Sequence, residues 1–330
     1  MNKIIEYLLK GSRKLYNWLL NSNRNYSVGE NNPDVASEMI FNLLSKDRPC
    51  MIARFGANEM TCVANYVGVS TEQKSIIDYI RGRQHQWWWN SNMVNQMKNN
   101  AGFFPPTENN LSKFSRMMLE DANEVDILGS WLADEDEIMK HNDHFRKISL
   151  LALEPYWAKE PWSRVLEGKR IVVVHPFKDD IIHQYRKREK LFKDKRVLPQ
   201  FASLRVVKAV QSKGGNNDQG FISWFEALEW MKREMDTEPY DIALIGCGAY
   251  GFPLAAHAKR TGHKSVHLGG ALQLMFGIKG RRWEIPLYGY DFTGRLNSYK
   301  DFFNDDWIYP NQDTIPLDVV LEEDNGSYWK

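Results

Sequence analysis

The sequence predicts an α/β fold in which a mostly parallel β-sheet is covered by helices. From Gly168 onward, apolar β-branched runs alternate with amphipathic segments of helical length. Such alternation is typical of βαβ units, whose strands are parallel and buried. In addition, Gly246, Gly248 and Gly251 form a G-x-G-x-x-G directly after one apolar run and before a helix. That context makes the predicted sheet Rossmann-like.

The first half of the chain is predicted to supply three strands and several helices. Asn32-Pro33 begins the first of these helices, because proline in the first turn has no N–H to leave unsatisfied. The segments that follow are a strand over Arg48–Phe55, a helix over Ala57–Tyr66, helices around Thr71–Arg81 and Ser91–Asn99, a helix over Leu111–Ala122 capped by Asn109-Asn110, and strands over Val125–Trp131 and Lys147–Leu153.

The second half is predicted to alternate more regularly between strand and helix. Its strands are expected over Lys169–Phe177, Phe201–Val210, Tyr240–Gly246 and Lys264–Gly270. Its helices are expected over Asp179–Phe192, Ser223–Met235 and Phe252–Gly262. We therefore divide the chain into an N-terminal helical extension (1–48), an α/β domain (49–299) with lobes of about 49–165 and 166–299, and an irregular C-terminal tail (300–330), since domains usually hold roughly 100–200 residues.

Composition favours a cytoplasmic protein without a nucleic-acid partner. There are 43 Lys and Arg against 42 Asp and Glu, so the formal net charge is +1 and no overall basic field attracts a polyanion. Three scattered cysteines do not make a disulfide framework or a C-x-x-C site. No apolar run approaches the roughly 18 residues of a membrane span, and we expect no signal peptide.

Residues 1–24 are predicted to form an amphipathic helix. Apolar residues recur near helical spacing, with Lys3, Lys10, Arg13, Lys14 and Arg24 among them. One interpretation is a helix that lies on the inner face of the plasma membrane. We favour the other interpretation, a helix packed on the domain, because Gly11-Ser12 interrupts the pattern.

The glycine motif predicts a site for a phosphate-bearing ligand. Glycines let backbone approach a phosphate, and the N-terminus of the following helix presents N–H groups. Tyr250 lies within the motif, and Gly269-Gly270 follow the next strand. A nicotinamide cofactor would require Asp or Glu at that second position to bind the ribose, and none is present, so we expect no NAD. The alternative is a glycine turn needed only for packing.

A cluster of cations follows this region. Lys279, Arg281 and Arg282 come after glycine turns at Gly269-Gly270 and Gly277. Arginine's planar guanidinium suits diphosphate oxygens. A solvated charged surface is the alternative interpretation.

The segment IARFGANEM predicts a second part of the same site. Arg54 and Glu59 flank the end of a predicted strand, the edge at which open α/β sheets bind ligands. Glu59 could bind a divalent metal or act as a base, or could form a structural pair with Arg54. Weaker candidates are His175 at a strand end, Glu154 and Tyr156 in LEPYW, and Asp218 in a glycine-asparagine loop.

Three segments together resemble bacterial glycosyltransferases of the GT-D fold: R-F-G-x-x-E, LEPYW…PWSRVLEGKRIVVVHPF, and IGCGAYGFPLAAHAKRTGHKSVHLGGALQLMFGIKGRRW. The resemblance covers roughly Pro49 to Asp291 and implies that 49–299 is a GT-D-like catalytic domain. It implies a role in capsule, O-antigen or similar surface-polysaccharide synthesis. The family motif is Arg-Phe-Gly-Asp-Gly-Glu, whose Asp-x-Glu pair engages a nucleotide sugar and its divalent metal. Arg54, Phe55, Gly56 and Glu59 match it, whereas Ala57 replaces the aspartate and Asn58 the second glycine.

We therefore expect a glycosyltransferase that moves a sugar from a nucleotide donor, preferably a UDP-sugar, to a saccharide or lipid-linked acceptor. Glu59 and Arg54 are the expected catalytic residues. Whether Mn²⁺ or Mg²⁺ binds at Glu59 is left open, because Ala57 replaces the family aspartate. Donor contacts are expected from Gly56, Asn58, His175, Gly246, Gly248, Tyr250, Gly251, Gly269, Gly270, Lys279, Arg281 and Arg282. The alternatives are an NAD(P)-dependent oxidoreductase acting on a nucleotide sugar and a catalytically degenerate sugar-nucleotide binder.

Overall fold

A computed structural model describes residues 3–20, 28–212 and 220–311. Its centre is a seven-stranded sheet in which the described strands all pair in parallel. The predicted α/β, Rossmann-like fold is thus confirmed. The strands are β1 (Cys50–Ala53), β2 (Val125–Ser130), β3 (Arg146–Ser149), β4 (Arg170–His175), β5 (Ser203–Lys208), β6 (Ile242–Ile245) and β7 (Lys264–His267).

The strand order is β3-β2-β1-β7-β6-β4-β5. The last strand of the sheet in sequence therefore pairs with the first, with Met51 opposite Ser265. Strands from both predicted lobes share one sheet, because β7 lies between β1 and β6.

Helices cover both faces of the sheet. They are α1 (Lys3–Leu20), α2 (Pro33–Leu44), α3 (Ala57–Ser70), α4 (Ile76–Ile80), α5 (Ser91–Asn99), α6 (Glu108–Ala122), α7 (Glu135–Ile138), α8 (Lys178–Tyr185), α9 (Arg188–Leu191), α10 (Trp224–Met235), α11 (Gly251–Arg260), α12 (Leu272–Met275) and α13 (Tyr290–Thr293). Met51 of β1 packs in the core beneath α3, α6, α10 and α11, whereas Ile52 packs in the core that includes α2 and α8. This alternation explains why the strands are apolar at nearly every position.

Four predicted helix or strand boundaries were wrong. The strand predicted over Lys147–Leu153 ends at Ser149, because its partner β2 ends there too, with Ser130 opposite Ser149. Leu150–Leu153 instead form a 3-10 turn. The helix predicted around Thr71–Arg81 is confined to α4, which Ser75 caps.

The other two concern a helix start and a helix break. α6 begins at Glu108, and its cap is Thr107 rather than Asn109-Asn110, since the Thr107 hydroxyl accepts the N–H of Asn110 at 3.3 Å. The helix predicted over Asp179–Phe192 is divided into α8 and α9. The break lets the chain carry Leu191 inward, where its carbonyl accepts the indole N–H of Trp307 at 2.7 Å.

The N-terminal helix is continuous through Gly11-Ser12, so the predicted interruption is absent. Glycine at an exposed helical position lowers helix stability by only about 1 kcal/mol relative to alanine, and the neighbouring helical turns offset this cost. α1 contacts the domain through Leu9, which packs with Tyr79 and Trp88. Within the described ranges, no helix has the length and apolarity needed to cross a bilayer.

Candidate functional site

A cavity of about 240 Å³ opens at the carboxyl edge of the sheet. It lies where the chain leaves β4 and β6 in opposite directions, β4 toward β5 and β6 toward β7. Diverging connections of this kind mark the position where open α/β sheets bind ligands. The predicted residues that line the cavity are Arg54, Gly56, Asn58, Glu59, His175, Gly246, Gly248, Tyr250, Gly269, Gly270 and Arg282.

Glu59 lies in the first turn of α3, three residues after the N-cap Gly56. A β-carbon at position 56 would lie 2.7 Å from Oε1 of Glu59 and closer still to Oε2. Since the Gly56 backbone (φ −79°, ψ 149°) suits any residue, glycine is required here by the space that the carboxylate occupies. Burial raises the pKa of Glu59, and its own backbone N–H and Arg54 partly oppose that rise.

Arg54 follows β1 and reaches toward the far side of the cavity. Its guanidinium carbon lies 5.0 Å from the centre of the Trp131 ring, within cation–π range. A β-carbon on Gly269 would lie 3.4 Å from Nη1 of Arg54. The Trp131 indole N–H donates to the carbonyl of Phe55 at 3.0 Å, which holds the ring next to the motif. Arg54 therefore connects the Glu59 side of the cavity with the Gly269 side.

The three glycines of the G-x-G-x-x-G motif have different roles. A β-carbon on Gly246 would lie 2.5 Å from the carbonyl of Gly269, and one on Gly251 would lie 2.8 Å from Nε2 of His267. These two glycines are therefore required by packing. Gly248 has φ +58° and open space at its β-carbon position. Gly248 is thus the position of the motif at which a ligand can approach the backbone, beside the N-terminus of α11, which has no side-chain cap.

Two buried histidines lie beneath the glycine motif. Burial lowers the pKa of His175 to about 3, and burial with the Arg54 charge lowers that of His267 to about 3. Both rings are thus neutral near pH 7. Nδ1 of His175 accepts the N–H of Phe177 at 3.1 Å, and Nδ1 of His267 lies 3.2 Å from the carbonyl of Ile245. These contacts give His175 and His267 a structural role at the ends of their strands. His175 also lines the cavity.

Tyr250 joins three segments of the cavity wall. Its hydroxyl lies 3.1 Å from that of Ser212, which donates to the carbonyl of Gly102 at 2.6 Å. Its ring stacks on Trp224 with centroids 4.7 Å apart. Lining residues that the sequence did not single out include Asn100, Gly102, Trp131, Ser212 and Gln273. The available signals were that Trp131 ends one predicted strand and that Ser212 follows the end of another.

The predicted cation cluster is divided by the fold. Arg282 lines the cavity, whereas Lys279 and Arg281 are not among its lining residues. The ammonium of Lys279 lies 5.0 Å from the ring centre of Tyr309 and 5.9 Å from that of Phe303. Arg281 is exposed. The separation arises because Arg281–Glu284 form a 3-10 turn, which directs neighbouring side chains differently.

Glu154 and Tyr156 belong to a separate buried network. One carboxylate oxygen of Glu154 accepts from Tyr299 at 2.6 Å, Trp157 at 2.7 Å and Tyr156 at 2.9 Å. Burial raises the pKa of Glu154 to about 7, against the effect of those three donors. Neither Glu154 nor Tyr156 lines the cavity. Asp218 lies outside the described residues.

The donor set for a metal ion in the cavity is small. Among the described residues that line it, Glu59 is the only carboxylate. A divalent ion there would need phosphate oxygens of the ligand in addition to Glu59, an arrangement that Mg²⁺ commonly accepts. Elsewhere, possible ligand atoms of His85, Asp134 and Glu137 lie within 4.8 Å of one another. Nε2 of His85 already lies within hydrogen-bond distance of a Glu137 carboxylate oxygen, at 2.9 Å.

Comparisons with models of protein families, with curated proteins and with solved structures found no match to this chain.

Proposed function

We propose that the protein is a glycosyltransferase that moves a sugar from a nucleoside-diphosphate donor to a saccharide or lipid-linked acceptor. The observation that carries the proposal is one cavity containing Glu59, Arg54 and the glycine turn around Gly248, segments that are far apart in the chain. This arrangement combines an acid–base group with a backbone suited to phosphate. The sequence resemblance to GT-D enzymes of surface-polysaccharide synthesis supports the same activity.

The donor diphosphate would lie over Gly248, beside the N-terminus of α11, which no side chain caps. Arg282 lies in the same cavity and would offset negative charge on the leaving diphosphate. Arg54 would hold the donor between the Glu59 and Gly269 sides of the cavity. If Mn²⁺ or Mg²⁺ takes part, Glu59 and the donor phosphates would hold it, and the ion would supply further stabilisation of that charge.

Glu59 is the proposed base. In the transfer step an acceptor hydroxyl oxygen bonds to the anomeric carbon, the bond from that carbon to the diphosphate oxygen breaks, and the hydroxyl proton passes to Glu59. Burial raises the pKa of Glu59. A raised pKa makes the carboxylate a better proton acceptor, since catalytic bases work best when their pKa approaches the working pH.

Two rival functions make different predictions. A nicotinamide-dependent enzyme would bind ribose through an acid after β7, where this chain has Leu268-Gly269-Gly270. Stabilisation against heat by NAD(H) and by no nucleotide sugar would favour this rival. A catalytically degenerate binder is favoured by Ala57, which lines the cavity where the family has aspartate. Donor binding without hydrolysis, with or without manganese, would favour the binder.

The test is a hydrolysis panel of UDP-, GDP- and CMP-sugars, with EDTA and with manganese. We expect one donor to be hydrolysed, and Glu59→Gln to lower that rate at least about 100-fold, the usual contribution of a general base. Glu120→Gln, an exposed change on α6, is the matched control and should not alter the rate. Equal rates for wild type and Glu59→Gln would refute the assignment of Glu59.

A further inference from the structure

α1 presents an apolar surface that the described part of the chain does not cover. Leu9 is its one buried residue. Eight large apolar side chains of the helix are 49% to 76% exposed: Ile4, Ile5, Tyr7, Leu8, Leu15, Trp18, Leu19 and Leu20. At 3.6 residues per turn, Ile4, Leu8, Leu15 and Leu19 fall on one side of the helix. We call these four residues the apolar stripe.

The contacts of α1 with the domain lie away from the apolar stripe. Leu9 packs with Tyr79 and Trp88, and the Arg13 guanidinium lies 4.9 Å from the centre of the Tyr79 ring. The domain therefore holds α1 by one side while the apolar stripe remains in solvent. The helix that α1 contacts also exposes Ile76 and Ile77, at 55% and 62%. The exposed apolar surface of α1 alone is typical of an interaction site.

The charge of α1 indicates what covers the apolar stripe. The helix carries four cations, Lys3, Lys10, Arg13 and Lys14, against the single acid Glu6. By helical spacing, the three lysines lie along one border of the apolar stripe, next to Tyr7 and Trp18. Lysines and aromatics beside an apolar stripe suit the boundary between anionic headgroups and acyl chains. A second copy would carry the same excess of cations, so charge favours an anionic surface over another copy of this helix.

We propose that α1 docks the protein on an anionic membrane surface, with the apolar stripe in the headgroup–acyl boundary. Lys3 and Lys14 lie on anionic headgroups, whereas Lys10 pairs with Glu6. The helix lies in the plane of the membrane, held to the domain by Leu9. This inference does not rest on the proposed glycosyl transfer, and its failure would leave that proposal intact.

The experiment is co-sedimentation of the full chain with phosphatidylcholine vesicles, with and without phosphatidylglycerol. We expect binding only when phosphatidylglycerol is present. Leu8→Glu combined with Trp18→Glu should abolish binding without loss of folding, since both side chains are exposed. Lys3→Gln combined with Lys14→Gln should weaken binding about 25-fold. Each lysine near an anionic surface contributes about five-fold in affinity, and the two factors multiply.

Ile222→Glu combined with Leu287→Glu is the matched control, because it places the same two charges on side chains that are 83% and 68% exposed and lie outside α1. It should bind vesicles as the wild type does. The proposal is overturned if the wild type does not sediment with anionic vesicles, if it binds both compositions equally, or if the Leu8→Glu, Trp18→Glu variant still binds. A dimer that Trp18→Glu dissociates, without vesicle binding, would assign the apolar stripe to a second copy instead.

Discussion

Gly56→Ala tests whether the position of the Glu59 carboxylate matters for activity. The new β-carbon would lie 2.7 Å from Oε1, whereas ordinary contacts begin at 3.4 Å. The carboxylate must therefore retreat by at least about 0.7 Å, and further at Oε2. A misplacement of about 1 Å at a reacting group can cost about 100-fold in rate, so we expect a loss of that order in turnover.

The same change should leave the fold almost unaffected. Position 56 has backbone angles that alanine adopts, and restricting the unfolded chain adds about 0.4–1 kcal/mol of stability. A shifted Glu59 rotamer costs about 0.5–1.5 kcal/mol. Alanine is also a poorer N-cap than glycine by roughly 0.5–1 kcal/mol, so the unfolding free energy should fall by less than about 2 kcal/mol.

The assay is donor hydrolysis at saturating donor, together with urea unfolding of the same preparation. Gly11→Ala is the matched control, because a β-carbon at position 11 meets nothing within 4 Å. It should keep wild-type turnover. The reasoning is refuted if Gly56→Ala hydrolyses donor at the wild-type rate, or if it loses activity only by unfolding.

Two further changes test the electrostatics. Burial raises the pKa of Glu154 from 4.5 to about 7, so the unfolding free energy should fall by about 3 kcal/mol as pH rises through that window. Glu154→Gln should remove this fall, so that urea unfolding gives nearly the same free energy at about pH 5 and about pH 8. A variant that loses as much unfolding free energy between the two pH values as the wild type would contradict the assignment. Arg282→Gln should raise the donor KM about tenfold or more through a lost charged hydrogen bond. Lys279→Gln should not, and equal effects would contradict the division of the cation cluster.

The sheet was predictable because each strand is a short apolar run followed by a helical pattern. The meeting of Arg54 and Glu59 with Gly248 was predictable for a related reason, since parallel strands bring their carboxyl ends to one edge. The roles of individual glycines were not. Gly246 and Gly251 are required by atoms of Gly269 and His267, which come from another strand and the residues after it.

The remaining differences between the predicted and the observed site arise from contacts between residues that are far apart in the sequence. Trp131 lies in the site because its indole N–H donates to the carbonyl of Phe55. Ser212 enters through Gly102 and Tyr250. Lys279 does not line the cavity, because its ammonium lies over an aromatic ring of the C-terminal segment. Periodicity and spacing describe single segments, so none of these pairings has a local signal.

The position of β7 has a consequence for synthesis on the ribosome. β7 occupies the gap between β1 and β6, although six strands precede it in the chain. Until Lys264–His267 emerge, both neighbours present unpaired backbone edges, which invite pairing with other chains. The two groups of strands therefore cannot join as the nascent chain grows, and we expect the sheet and its cavity to form only late in translation or after release.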